Sequence, residues 1–334
     1  MKTETIVLNE ERDVTLTTYI QPVGGRFDYI EKRPAIIILP GGGYQYLSAR
    51  EAEPVAYPYL NAGYHVFILR YSIGKHATWP NPLNDFDEAI SLIRSKADEW
   101  NVYEDKIAVI GFSAGGHLAS AAATMAKNRP NAALLGYAVT GEDVKGCNST
   151  APDTSKYVDR NTCPCFIFAT RTDALVPIEN SVNFMSALTK AKIAYESHIY
   201  AYGPHGFSTC NTAVLNPSTI ISDRVPHWVD DSIGWLKDVF GDFSNNGLTK
   251  PVCPRYSTFD YDEYLSLECT IAHLFKYYGT SKQLDEVLDE IRKSGGDTSA
   301  VGKMTLGALL GFARYDKNKI EELSNELKSI KNTL

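Results

Sequence analysis

Short, almost wholly apolar stretches recur along the first two thirds of the chain and alternate with segments of helical periodicity. AIIIL (35–39), VFILRY (66–71) and IAVI (107–110) come first, and strand-like runs follow at 134–139, 166–169 and 197–200. Strands this apolar must be covered on both faces, which points to a parallel sheet buried under helices. The intervening segments supply the helices. In 84–100 (NDFDEAISLIRSKADEW), Phe86, Ile90, Ile93 and Ala97 share a face, with acids in the first turn; in 178–190, Val182, Met185 and Leu188 do the same. Further helices are expected at 53–62, 117–125 and 228–240. Two leading strand-like stretches, 4–8 and 14–19, suit an antiparallel edge. The expected fold class is α/β: a mostly parallel, doubly wound sheet flanked by helices, over residues 1–241.

After Gly241 the texture changes. GDFSNNGLTKPVCPRYS (241–257) is rich in Gly, Asn, Pro and Ser, so 242–257 reads as a linker. Beyond it, helical periodicity at 261–278, 283–294, 300–315 and 317–330 predicts a small all-α C-terminal domain over 258–334. With 334 residues, the chain has room for a large α/β domain and such an appendage.

A formal net charge of −7 argues against nucleic acid or an anionic membrane as a partner. The opening MKTETIVLNEERD has no continuous apolar run, and the apolar stretches elsewhere are far too short to span a bilayer. The six cysteines (147, 163, 165, 210, 253 and 269) include one C-P-C but no paired CxxC, so they read as reduced thiols rather than a metal site. A cytoplasmic location is the corresponding expectation.

The sharpest local feature is GFSAG (111–115), placed between an apolar strand and a small-residue helical run. It matches G-x-S-x-G, in which glycines flank a serine on a tight strand-to-helix turn because side chains there would clash. Such a turn exposes the Ser113 hydroxyl and sets the Ala114 amide at a helix N-terminus, where it faces a developing oxyanion. Directly after the first core strand stands Pro40-Gly-Gly-Gly-Tyr44, whose backbone can approach a substrate carbonyl; Gly42 or Gly43 would be the second oxyanion donor. A phosphate-cradling loop is the weaker reading, since neither a G-x-G-x-x-G register nor a Lys-Ser/Thr pair follows.

A nucleophilic serine needs a base and an acid that orients it. Among seven histidines, His205 in YGPHGF (202–207) follows the last core strand on a Gly/Pro loop. His65 and His198 lie within strand patterns, His117 sits in the helix after the serine, and His76, His227 and His273 have no supporting context. Asp173 follows the strand 166–169 in a short polar loop that opens a helix. The order Ser113, Asp173, His205, each after a different strand of one sheet, fits a nucleophile, an acid and a base.

With these pieces in place the chain resembles the α/β-hydrolase superfamily and, within it, the acetyl esterase and acetylxylan-esterase-like branch of bacteria. The resemblance covers about residues 30–240 and is carried by LPGGGYQYLSAREAEP (39–54), GYHVFILRYS (63–72), GFSAGGHLA (111–119), TDALVPIENS (172–181) and YGPHGF (202–207). It departs from many relatives in having Pro40 where they have a histidine, which removes one anchor of the glycine loop, and in a short 141–162 segment. The C-terminal helices lie outside it.

The resemblance implies a serine hydrolase cleaving short acyl esters, acetyl above all, on carbohydrate-derived substrates, with no metal or organic cofactor. Tyr44, Tyr46, Trp79 and Tyr202 either flank the site as platforms for a sugar or belong to ordinary packing. An amide hydrolase of arylformamidase or peptidase type would reuse the same residues, and a catalytically silent binding module is the alternative from a different class. The C-terminal helices would pack on the main domain, build a homo-oligomer or dock elsewhere.

Overall fold

In the computed structural model of the chain, residues 1–278, 282–293 and 301–333 are described. β3 (Arg33–Leu39), β6 (Ala132–Gly136) and β7 (Cys165–Thr170) are buried at every position, and β4 (His65–Arg70) at all but its last. Strands with no exposed face need helices on both sides, and the chain supplies them. The eight-stranded sheet runs β1-β2-β4-β3-β5-β6-β7-β8, with β1 (Lys2–Asn9), β2 (Val14–Ile20), β5 (Val102–Phe112) and β8 (Tyr195–Tyr200). β1 and β2 form an antiparallel hairpin, β2 meets β4 antiparallel, and every other pairing is parallel.

The register sets the site. Leu39, the last residue of β3, pairs with Gly111, and Phe112 pairs with Gly136 of β6. The carboxyl ends of β3, β5 and β6 therefore lie side by side, and ligands of open α/β sheets bind outside that edge. The covering helices are α1 (Glu53–Asn61), α2 (Asn81–Ser95), α3 (Ala97–Trp100), α4 (Ala114–Met125), α5 (Glu179–Ala191) and α6 (Trp228–Phe240). α6 is fastened by aromatic packing: Trp228 stacks on Phe168 with ring centroids 4.1 Å apart, and Trp235 meets Phe166 at 5.6 Å.

Three expected elements differ in outline. The helix read over 84–100 begins three residues earlier and divides at Lys96 into α2 and α3. The strand read over 134–139 is β6, which ends at Gly136, because Tyr137 turns the chain with φ 36° and leaves the sheet. The helix after the serine starts at Ala114 rather than 117, since the turn leads straight into it.

The chain divides into two compact units, Met1–Arg255 and Tyr256–Leu334. Residues 242–255, read above as linker, thus fall in the first unit. β9 (Phe243–Ser244) and β10 (Gly247–Leu248) form a small hairpin there, and the Arg255 carbonyl accepts the Ala194 amide at 2.9 Å. Polar loop composition conceals such ties because they use backbone groups, which sequence does not vary.

The second unit holds α7 (Ile271–Tyr278), α8 (Lys282–Lys293), α9 (Leu306–Phe312) and α10 (Lys317–Lys328) around Leu265, Ile271, Leu274, Leu288, Leu309, Leu310 and Leu323. The helix read from 261 starts only at Ile271. Asp260 is the reason, its carboxylate accepting the Thr270 amide (2.6 Å) and hydroxyl (2.8 Å) just ahead of the helix. The helices read over 283–294 and 300–315 reach residues 294 and 300, which lie outside the described residues. Among the described residues no helix is long and apolar enough to cross a membrane.

His65 in β4 is fully buried, its Nδ1 accepting the Gln21 amide at 3.0 Å and its Nε2 donating to the Asn101 carbonyl at 3.3 Å. Burial, reinforced by the nearby Arg33 charge, lowers its pKa from 6.5 to about 4. The unfolded chain therefore binds more protons between those values, and stability falls as pH drops through the window from about 6.5 to about 4. Between pH 7 and pH 5, His65 should cost the fold about 2 kcal/mol. Denaturant unfolding at both pH values should show at least that loss, and His65→Gln should lose less than the wild type by about that amount.

Candidate active site

Ser113 stands between β5 and α4 with φ 53° and ψ −118°, a conformation that non-glycine residues adopt only under constraint, at a cost of about 1–3 kcal/mol. Its flanking glycines supply the constraint. A Cβ on Gly115 would lie 2.1 Å from the Leu39 carbonyl oxygen, and one on Gly111 would lie 2.0 Å from that of Gly115. The helix can leave the sheet this abruptly only where both side chains are absent. The Ser113 amide donates to the Gly136 carbonyl at 2.9 Å, which ties the turn to β6.

Asp173 follows β7 and His205 follows β8, and the structure brings both to Ser113. His205 Nδ1 donates to Asp173 Oδ2 at 2.6 Å, and the Ser113 hydroxyl donates to His205 Nε2 at 2.8 Å. The other oxygen of Asp173 accepts the amides of Leu175 (2.8 Å) and Val176 (2.9 Å), so the carboxylate is fixed before it meets the histidine. The histidine loop is held as firmly. Thr170 and Thr172 hydroxyls both donate to the Gly203 carbonyl, at 2.8 and 3.1 Å, and the Gly203 amide returns to Thr172 Oγ1 at 3.0 Å. Beneath the imidazole the Tyr137 ring packs edge-on, centroids 4.9 Å apart.

The glycine loop after β3 carries left-handed backbone at Gly42 (φ 129°), Gly43 (φ 62°) and Tyr44 (φ 60°). Several polar groups anchor it. Tyr71 donates its hydroxyl to the Pro40 carbonyl at 2.6 Å, and the Gly41 amide donates to Glu51 Oε2 at 2.8 Å. Tyr44 donates its hydroxyl to His117 Nδ1 at 2.6 Å, and His117 Nε2 donates to the Pro152 carbonyl at 2.8 Å. Burial pushes the His117 pKa down to about 4, which keeps the ring neutral and its Nδ1 free to accept. These ties do the work of the anchor that Pro40 does not supply.

A cavity of about 380 Å³ opens over Ser113 and His205, with Gly42, Gly43 and Tyr46 in its wall. Of the four aromatic candidates, only Tyr46 lines it, at an exposed rim position. Tyr44 is completely buried and anchors the loop instead. Trp79 packs edge-on against His117 (5.4 Å) away from the cavity wall, and Tyr202 is exposed and does not line it. Val139, Leu175 and Val176 add apolar wall, while Glu51, Arg50 and Cys147 also contribute. Sequence reasoning missed those last three. Glu51 lies within the stretch that carried the resemblance, but nothing in its immediate neighbours marks it as buried. Burial raises the Cys147 pKa, which favours its neutral thiol. Among the described residues no group of three or more His, Cys, Asp or Glu is placed to hold a metal ion.

Comparison with known proteins agrees with this architecture. The BD-FAE family model matches residues 28–133. The chain is 31% identical over 211 residues to endo-1,4-beta-xylanase B of Butyrivibrio fibrisolvens, a match covering 54% of this chain and 33% of that protein. It is 32% identical over 196 residues to the acetylxylan esterase of Xylanibacter ruminicola, covering 52% of this chain and 41% of that one. The match thus spans about a third to two fifths of these curated relatives. MGS-M1, an alpha/beta hydrolase enzyme from a Medee basin deep-sea metagenome library, superposes with a TM-score of 0.68 at 44% identity, over 72% of this chain and 98% of that one. The chain belongs to the α/β-hydrolase family.

The elbow geometry sets two effects against each other at Gly115, which is already helical. Alanine is the better helix former by about 1 kcal/mol. A Cβ 2.1 Å from the Leu39 oxygen outweighs that gain, because both partners are backbone and cannot swing aside. Gly115→Ala should therefore lose about 3 kcal/mol or more in denaturant unfolding, rather than gain stability.

Proposed function

We propose that this protein is a serine carboxylesterase that removes short acyl groups, acetyl above all, from carbohydrate-derived esters. The observation that carries the reading is the continuous hydrogen-bonded chain from Ser113 through His205 to Asp173, opening into a cavity of about 380 Å³. In that arrangement His205 Nε2 takes the serine proton as Oγ attacks the ester carbonyl, and Asp173 holds the imidazole and stabilises its cation. The oxyanion forms beside the Ala114 amide at the α4 N-terminus. Since the Gly41 amide is committed to Glu51, Gly42 or Gly43 supplies the second donor from the glycine loop. Each such donor is worth about 2.7–4 kcal/mol in the transition state. His205 then protonates the leaving alcohol, and water repeats the sequence on the acyl-enzyme.

Two features support short acyl groups on sugars. The cavity is near the small end for ligand sites, at about 300–1,000 Å³, and its apolar wall is built from Val139, Leu175 and Val176. The names of two relatives, a xylanase and an acetylxylan esterase, both refer to xylan, and the second also names the acetyl ester. Tyr46 at the exposed rim offers a ring face of the kind sugars stack on.

Hydrolysis of p-nitrophenyl acetate, butyrate and octanoate tests this reading. The rate should fall from acetate to octanoate, and Ser113→Ala should lose about 10⁴-fold or more in kcat. Asp173→Asn should lose roughly 10³- to 10⁴-fold, because the wrong imidazole tautomer would face the serine. A wild type that turns over none of these esters would overturn the esterase reading and direct attention to amides.

A further inference from the structure

Glu51 is a carboxylate buried to 3% exposure at the wall of the cavity, in a place where a negative charge would oppose an oxyanion. Its surroundings explain why it is there. Oε2 accepts the Gly41 amide at 2.8 Å, and Oε1 accepts the Tyr137 hydroxyl at 2.6 Å. The Tyr137 oxygen in turn accepts the Ser208 amide at 3.1 Å. The Ser208 hydroxyl also donates to the carbonyl of Arg50, the residue next to Glu51. One end of this chain of bonds is the glycine loop, one residue before Gly42. The other is the histidine loop, three residues after His205. Midway, the Tyr137 ring touches both the His205 ring (4.9 Å) and Phe207 (4.5 Å).

We infer that Glu51 is a positioning residue that fixes the oxyanion loop and the histidine loop relative to each other, through Gly41 on one side and Tyr137–Ser208 on the other. The inference rests on the acyl-transfer reading above. The chemistry selects a carboxylate. Both neighbours donate to Glu51, and the tyrosine oxygen already accepts the Ser208 amide, so a donor in place of Oε1 would leave the hydroxyl proton without that acceptor. A glutamine would offer one acceptor and one donor, so one of the two bonds would be lost and a donor would face a donor. An aspartate is one methylene too short to span both. The charge is consumed by these two donors instead of facing the substrate, and burial together with that charge holds the Tyr137 hydroxyl protonated by raising its pKa. Gly41 is itself constrained by the contact, since a Cβ there would lie 2.8 Å from Glu51 Oε2 and 2.6 Å from the Phe112 carbonyl oxygen.

The test uses the full chain as Glu51→Gln, Tyr137→Phe and the double variant, with thermal melting to establish that each is folded. Three quantities are read: kcat and KM for p-nitrophenyl acetate, Ki for a short aliphatic trifluoromethyl ketone, and the rate at which a fluorophosphonate labels Ser113 with loss of fluoride. The ketone adduct carries an oxyanion in the same hole. Its Ki should therefore rise by the factor by which kcat/KM falls, about 10- to 100-fold in Glu51→Gln, while KM moves less than about threefold. Tyr137→Phe should fall by a smaller factor, and the double variant should be no worse than Glu51→Gln within about twofold, because the two side chains act as one link. A folded Glu51→Gln with unchanged kcat and Ki, or a double variant whose losses multiply, would overturn the inference. Should Glu51→Gln not fold, Tyr137→Phe decides alone, and unchanged kcat and Ki in it are equally fatal. If the wild type is labelled but cleaves no ester, the esterase reading fails while labelling rates still decide the role of Glu51. A wild type that is not labelled overturns both.

Discussion

The first turn of α4 lies against the carboxyl end of β3 so closely that only hydrogen fits at Gly115, whose Cβ would otherwise sit 2.1 Å from the Leu39 oxygen. Much of the site follows from that approach. It forces the chain to reverse over one residue, and Ser113 takes up the strain with φ 53°. The reversal brings Ser113 to the cavity wall and leaves Ala114 as the first residue of α4. Strain of this kind persists only where its surroundings over-determine it. Here β3 and β6 are buried throughout, and the Ser113 amide is bonded to β6.

Once the serine is fixed, the remaining groups need only reach it from neighbouring strand ends. The parallel sheet brings the ends of β3, β7 and β8 to the same edge as β5, which is coarse positioning. Orientation to hydrogen-bond accuracy comes from buried polar ties within the loops. Asp173 is held by two backbone amides, the histidine loop by Thr170 and Thr172, and the glycine loop by Glu51, Tyr71 and the Tyr44–His117 pair. Beneath them Phe112, Tyr137, Phe168 and Trp228 form a packed aromatic layer, with centroids 4.1 to 6.3 Å apart. Aromatic packing has few rotamers to lose and resists displacement, so His205 rests on a stiff floor.

The alternation of apolar strands with amphipathic helices announced the sheet, because fully covered strands leave a pattern that needs no partner to be read. Ser113, His205 and Asp173, which the structure joins by hydrogen bonds, were legible for another reason. Backbone geometry demands glycine at 111 and 115, and chain order demands that Asp173 and His205 follow later strands. Tyr44 shows where this reasoning fails. An aromatic beside a glycine loop suggests a substrate platform, yet the side chain points inward to His117 and is wholly buried. Direction along an irregular loop has no period, so nothing in the sequence fixes it. Glu51 was missed for the complementary reason. It reads as one acid among several in SAREAEP, and its burial depends on Tyr137, 86 residues further on.

By itself, then, the sequence determined the layered α/β class, the turn that carries the serine and the order of the three groups that meet there. Those properties are written in local pattern: hydrophobic period, obligatory glycine and spacing along the chain. Tertiary structure alone decided which aromatics face the cavity, where the first unit ends and which buried carboxylate joins the two loops. Each of these depends on contacts between residues distant in sequence, and on backbone hydrogen bonds such as that from Ala194 to Arg255, which no side-chain pattern records.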